Sequence, residues 1–358
     1  MNGIDAKFAL QRGDFAFDVA FHAPARGITG VFGPSGSGKS TLLRCIAGLE
    51  PNALGMLQVS DEVWQDSNAG VFIAPHRRRI GFVFQDARLF AHLSVRGNLQ
   101  YGLRRTRQTQ ARFDFDKVVE SAGIARLLDR RVSGLSGGEC SRVAMARALL
   151  TNPVMLLMDE PLAALDSVAR AEILPYLEQL HEQLSIPILY VSHAIDEVAR
   201  LADHVLYLQA GRVAGAGRAI DMLTRLDLPL AHSDEAATVL EAVVKAHDRE
   251  FHLAQLEFSG GQLSVPEEHL PAGTAVRVRI IARDVSLSLE QHHNTSILNI
   301  FPARIVEISD DRPAQSTIKL DAAGSLLLAR ITRRSVHALG LRPGLQVYAQ
   351  VKSVALLR

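Results

Sequence analysis

Eight consecutive residues, Gly33-Pro34-Ser35-Gly36-Ser37-Gly38-Lys39-Ser40, satisfy the pattern G-x-x-x-x-G-K-[ST] in full. Glycines at these spacings let the backbone curl so that successive N–H groups point inward at phosphate oxygens. A helix beginning where the loop ends, through Thr41, adds partial positive charge at its N-terminus. A lysine in that position reaches the β- and γ-phosphates of a nucleoside triphosphate, and the serine hydroxyl is a ligand for Mg²⁺. Asp159-Glu160, directly after the apolar run 154–158, offers two carboxylates with different uses. The first can hold Mg²⁺ through water, and the second can polarise an attacking water. An acidic pair at a strand end also suits helix capping; beside a phosphate loop it reads as hydrolysis. Ser136-Gly137-Gly138 is a second anion-binding turn ahead of the helical stretch 141–150. One chain does not easily aim both turns at a single triphosphate, whereas two copies packed head to tail do.

These groups need a scaffold, and the apolar runs 28–32, 80–84, 154–158 and 188–192 supply it as buried strands of a mostly parallel sheet. Helical segments at 41–47, 141–150 and 167–184 make residues 1–232 an α/β domain. The stretch 86–150 contains no convincing strand and reads as a helical insertion. From 233 onward the texture changes to period two, as in Val276, Val278 and Ile280 alternating with Arg277 and Arg279. Residues 273–287 resemble 344–356 with small indels, which suggests a weak repeat of small all-β, OB-like barrel lobes. The seam 290–294 reads as a linker between them, its histidines His292 and His293 solvated, with a second lobe over about 293–358.

Composition excludes several classes. The 358 residues allow two or three domains, and 47% hydrophobic with 22% charged residues is ordinary for a globular chain. Lys plus Arg is 39 and Asp plus Glu is 38, a net charge of +1 that excludes a strongly basic surface over the whole chain, though not a local patch, and no nucleic-acid partner is expected. Two cysteines, Cys45 and Cys140, are too few for a disulfide scaffold or a four-thiolate zinc site and fit a reducing compartment. Residues 1–7 lack the features of a signal peptide. No apolar run approaches the roughly 18 residues needed to span a bilayer, so a role at a membrane must come through partners.

The order and spacing of the phosphate loop, the Ser-Gly-Gly turn and the Asp-Glu pair resemble the nucleotide-binding subunits of ABC transporters. The resemblance implies that Gln85 is the residue that senses the γ-phosphate, helps ligate Mg²⁺ and contacts the permease. It implies Asp166, in Ala164-Leu165-Asp166, as the D-loop acid and His193 as the switch histidine. Ser136, Gly137 and Gly138 would contact the ATP held by the other copy. The run 83–90, the residues Val95-Arg96-Gly97-Asn98-Leu99 and the run 189–193 are similar to the ATP-binding subunits of bacterial molybdate importers. Thr295-Ser296-Ile297-Leu298-Asn299 and Lys352-Ser353-Val354 resemble the molybdopterin-binding-type (Mop/TOBE) domain that ends such subunits. That family implies ATP and Mg²⁺ as cofactors, Glu160 as general base, and a homodimer on a separate membrane permease at the cytoplasmic face of the bacterial inner membrane. It also implies an external oxyanion-binding protein. Sulfate, thiosulfate or tungstate are the alternative cargoes, and a non-transport ABC ATPase is the alternative class. Ser296, Asn299, Lys352 and Ser353 are the candidate oxyanion contacts. Two departures stand out. Glu139 occupies a position where glutamine is common, and no tyrosine precedes Gly33 to stack on adenine. Phe15 is the nearest aromatic and reads as a core strand residue.

Overall fold

Residues 4–23 fold as an antiparallel hairpin, where the parallel α/β pattern had been expected to run from the start of the chain. The computed structural model describes residues 3–105, 113–267, 269–310 and 313–357. Ile4–Arg12 and Phe15–Ala23 pair residue for residue around Gly13-Asp14, with Gly13 at φ 57°. Ile4, Ala6, Phe8, Phe17, Val19 and Phe21 are buried, which is the period-two face of a half-covered sheet. The sheet runs in the order Phe15–Ala23, Ile4–Arg12, Leu54–Val59, Glu62–Asp66, Val71–Phe72.

A second sheet carries the expected strands. Its order is Arg212–Arg218, His204–Gln209, Gly27–Phe32, Pro187–Val191, Met155–Asp159, Ile80–Val83. The last five are joined by parallel pairings. Pro187–Val191 is buried at every position, as a strand covered on both faces must be. Helix Lys39–Ile46 belongs to the core between the sheets. Leu42, Leu43 and Ile46 share one cluster with Phe8, Phe17 and Trp64 of the first sheet and Val31, Leu157 and Leu189 of the second. Arg78 closes the other end of this helix, donating from Nη1 to the carbonyls of Cys45 and Ile46 at 3.1 and 2.6 Å. Burial pulls that guanidinium down to about 10.

The insertion is helical among its described residues, with Val95–Arg105, Phe115–Ser121 and Gly137–Leu149 and one bridge, Ser94 to Arg131. Residues 106–112 of it lie outside the described residues. Helix Gly137–Leu149 starts four residues before the expected 141, because Ser136 caps it and Glu139 completes a capping box. Two glycines of low helix propensity hide that start.

The chain divides into two compact units, Met1–Gly217 and Arg218–Arg358. The division falls fifteen residues before the expected 232/233. In the second unit Arg330 donates to the carbonyls of Ser233 and Ala231 at 2.7 and 3.0 Å and so ties down the segment that follows residue 218. Two five-stranded sheets make up this unit. The first is Gly261–Pro266, Leu253–Phe258, Ala237–Asp248, Ala275–Ile281, Ala355–Leu357, and the second is Val285–Ser288, Gln346–Val351, Asn299–Ser309, Gln315–Ala322, Ser325–Thr332. The two copies of the suspected repeat cross between sheets in opposite directions. Ala275–Ile281 leads from the first sheet to Val285–Ser288 in the second, and Gln346–Val351 leads from the second to Ala355–Leu357 in the first. Leu240, Leu256, Val278, Phe301, Ile318 and Val347 therefore lie in one core rather than two. The 290–294 seam joins strands of a single sheet.

Candidate functional site

Helix Lys39–Ile46 opens without a side-chain cap, from Gly38 at φ 101°. A Cβ there would lie 2.8 Å from the Phe17 ring and 3.3 Å from that of Phe15, so both the backbone angle and the space demand glycine. Lys39 is 7% exposed, and its ammonium donates to the carbonyls of Gly33 and Pro34 at 2.8 and 3.0 Å. Desolvation lowers its pKa, opposed by the charges of Glu160 and Asp159. Ser40 Oγ donates to Asp159 Oδ1 at 2.9 Å. Burial raises the Asp159 pKa, the Ser40 hydrogen bond opposes the shift, and Glu160 adds to it. A hydroxyl and a carboxylate whose charge burial disfavours form a hard-oxygen pair, and a small divalent cation would relieve that charge.

Glu160 sits in the left-handed region at φ 47°, a backbone cost of about 1–3 kcal/mol for a non-glycine residue. Its N–H is held by the carbonyl of Val191 at 3.1 Å. Its Oε2 lies 3.3 Å from His193 Nδ1. A cavity of about 600 Å³ joins Ser35, Gly36, Gly38, Lys39, Ser40 and Thr41 to Glu160 and His193, and Arg12 and Phe15 line it as well. Phe15 was expected in the core. It packs against the core from a half-buried position and lines the cavity too, because Gly13-Asp14 turns the hairpin end beside Gly38.

The other expected residues stand elsewhere. Gln85 is exposed just beyond Ile80–Val83 and does not line the cavity. Ser136 and Gly137 are exposed, Gly138 is buried, and none of them lines the cavity of its own chain. Asp166 caps helix Ser167–Gln183 by accepting from Ala169 N at 2.8 Å. In the second unit Ser296, Lys352 and Ser353 are exposed. Asn299 is not free for an anion. Its Oδ1 accepts from Ser264 N at 2.6 Å and its Nδ2 donates to Ser264 O at 3.2 Å.

Three supporting residues were missed by the sequence reading. Glu197, 3% exposed, accepts from Tyr190 OH at 2.7 Å and Ser192 Oγ at 2.8 Å, and so fixes the strand end that carries His193. Arg147 donates to the carbonyls of Ala87 and Arg88 at 3.0 and 2.8 Å, both left-handed residues just beyond Gln85. Arg12 pairs with Glu50 at 2.8 Å. No local spacing announces these pairs; the Gly13-Asp14 turn between alternating runs was the signal that could have brought Arg12 and Phe15 to the loop.

The ABC transporter family matches residues 17–163 and the TOBE domain matches residues 295–357. The molybdenum import ATP-binding protein ModC of Thiobacillus denitrificans is 56% identical over 355 residues, 99% of this chain and 98% of its own. That of Methylococcus capsulatus is 49% identical over 358 residues, covering 100% of both chains. Among solved structures, cbiO1 from Clostridium perfringens, part of the ABC transporter complex cbiONQ, matches with TM-score 0.54 at 28% identity, covering 62% of this chain and 90% of that one. A dimeric ATP-binding cassette in a post-hydrolysis state, bound to ADP and Pi, matches with TM-score 0.50 at 26% identity over 60% of this chain and 98% of that one. The chain therefore belongs to the family of molybdenum import ATP-binding proteins, within the ABC transporter ATPases.

Proposed function

We propose that this chain is the ATP-hydrolysing subunit that energises molybdate import through a separate membrane permease. The observation that carries the reading is the single cavity lined by the Lys39 loop, Ser40, Thr41 and the Glu160–His193 pair, with Asp159 hydrogen-bonded to Ser40. Full-length similarity to molybdenum importers supports the cargo. Lys39 leaves the loop carbonyls for phosphate oxygens when ATP enters, since an anionic partner is stronger than two neutral ones. Glu160 orients the attacking water and takes its proton, and His193 fixes the Glu160 carboxylate by its 3.3 Å contact. Ser40 and Asp159 are the residues that would hold Mg²⁺, with Gln85 as the further ligand the resemblance implies, and the cation would supply charge neutralisation to the phosphate oxygens.

Two copies pack head to tail, so that Ser136, Gly137, Gly138 and Asp166 of one complete the ATP site of the other. The permease holds the pair at the cytoplasmic face of the inner membrane, and an external binding protein delivers the oxyanion. Among the described residues no helix is long and apolar enough to cross a membrane. The test is uptake of labelled molybdate by the full complex reconstituted in vesicles. Glu160→Gln should cut ATP turnover and uptake by about 100-fold or more. Wild-type uptake of sulfate in preference to molybdate would overturn the cargo.

The second unit adds a regulatory reading, in which molybdate contacts Ser296, Lys352 and Ser353 at the sheet end where Asn299 faces Val351. Cytoplasmic molybdate should then slow ATP hydrolysis by the full complex, and truncation after Gly217 should abolish the effect. Equal rates with and without molybdate would make the second unit an assembly or stability element.

A further inference from the structure

We infer that Arg12 is the nucleoside-contacting residue of the ATP site, its guanidinium held by Glu50 as the flat face on which the base lies. The inference rests on the reading of the cavity as an ATP site. Lys39, Ser40, Asp159, Glu160 and His193 account for the phosphate end. What the cavity leaves for the nucleoside is the hairpin end, where Arg12 and Phe15 face each other in register across Gly13-Asp14. Phe15 lines the cavity as well but is half-buried against the loop and core. Its ring centroid is 6.3 Å from that of Phe17, and its Cζ would stand 3.3 Å from a Cβ at Gly38. Arg12 is the open one, with 60% of its side chain exposed.

Arg12 does not swing freely. Its Nη2 lies 2.8 Å from Glu50 Oε2, while Arg44 Nε holds Glu50 Oε1 at 2.6 Å. The Glu50 side chain is 9% exposed, so the carboxylate is a fixed post rather than a solvated partner. Arg44 lies one turn beyond Thr41 on helix Lys39–Ile46. Arg12 is thereby anchored to the helix that positions the phosphates. Its charge is already met by Glu50, which lowers its worth as a phosphate ligand. What remains is a planar, weakly hydrated group, the kind that stacks on aromatic faces.

Binding of ATP and of inorganic tripolyphosphate to the full chain, each with Mg²⁺, separates a base contact from a phosphate contact. Arg12→Ala should weaken ATP about tenfold, the size of one lost stacking contact, and shift tripolyphosphate by less than about twofold. Arg12→Trp, which keeps a flat face and removes the charge, should return ATP to within about threefold of wild type. Glu50→Gln, which loosens the post, should weaken ATP about threefold and leave tripolyphosphate unmoved. Equal losses for the two ligands in Arg12→Ala would make Arg12 a phosphate ligand and overturn the inference. So would no loss for either, or an Arg12→Trp chain of wild-type melting temperature that binds ATP no better than Arg12→Ala. A wild-type chain that binds neither ligand would instead overturn the ATPase reading.

Discussion

Two helix starts in the first unit carry glycine and serine signatures, and they are built in opposite ways. Lys39–Ile46 begins from Gly38 with no side-chain cap and no acid in its first turn. Gly137–Leu149 begins from Ser136, whose Oγ accepts from Glu139 N at 3.2 Å while Ser136 N donates to Glu139 Oε2 at 2.9 Å. The first start keeps its N–H groups and its positive end available, and a buried lysine waits beside it. The second ties up the N–H groups of Ser136 and Glu139 and holds a carboxylate at its positive end. A site finished within one chain can stay open, because the cavity and the loop carbonyls hold its shape. In the proposed head-to-tail dimer the second start would meet its anion only when another copy arrives, and alone it is held by its own cap.

Glycine is where the comparison breaks most sharply. Gly38→Ala forces a side chain into φ 101° and 2.8 Å from Phe17, which is 1% exposed and has nowhere to go. Strain and overpacking together should cost about 3 kcal/mol, a fall of about 6–12 °C in melting temperature, with loss of ATP binding. At Gly137 the nearest obstacle is the mobile end of Leu165, at 2.9 Å, and no positive φ is present. Gly137→Ala should leave the free chain within about 1 kcal/mol of wild type, because helix propensity favours alanine. Melting curves of the two variants side by side decide it, and similar losses would erase the distinction between the two starts.

The same contrast explains what could be read from residues alone. The loop 33–40 was legible because its residue types encode its backbone, and the strands 28–32, 154–158 and 188–192 because burial on both faces leaves continuous apolar runs. The hairpin 4–23 was not, although Ile4, Ala6 and Phe8 alternate with Asp5 and Lys7; a nearby parallel pattern overrode a period-two signal five residues long. Period two identified the second unit as built on β-sheets, but not its short helices Ala219–Leu223 and Arg333–Ala338, nor that its repeated strand pairs exchange sheets, since crossing depends on what the partner strand does some seventy residues away. Arg147 to Ala87, Arg12 to Glu50 and Asn299 to Ser264 are side-chain contacts across 60, 38 and 35 residues, and no spacing rule reaches so far.

Ser136 sharpens the comparison through the dimer. Ser136→Ala removes the cap, at about 1 kcal/mol in the free chain, and in the proposed head-to-tail dimer would remove a hydroxyl donor to the other copy's ATP. A hydrogen bond to a charged group is worth about 1.5–3 kcal/mol, so turnover should fall about tenfold to a hundredfold. In mixed dimers with Lys39→Ala on one copy and Ser136→Ala on the other, both lesions fall in one ATP site and the second site stays whole. Such dimers should keep more activity than dimers carrying Ser136→Ala on both copies. Mixed dimers no better than either homodimer would mean that each chain completes its own site.

Glu139 gives the smallest effect and the most direct reading of self-capping. Glu139→Gln keeps an acceptor at the third position of the helix, so the capping box to Ser136 N survives. It removes the negative charge at the helix start. A carboxylate there is worth about 0.3–1 kcal/mol to the free helix through the macrodipole, so the free chain should lose that much and melt slightly earlier. The same carboxylate opposes an incoming phosphate. In the ATP-bound dimer of a Glu160→Gln background its removal should therefore strengthen association, by about twofold to fivefold per site on the same energies. The gain should shrink as salt rises from about 0.05 to 0.5 M, because partly exposed charges are screened over a few ångströms at high ionic strength. Opposite signs for the free chain and the dimer are the mark of a start built to hold its own cap until a partner's phosphate takes its place. A variant that weakens both, or strengthens both, would show that Glu139 serves helix stability alone.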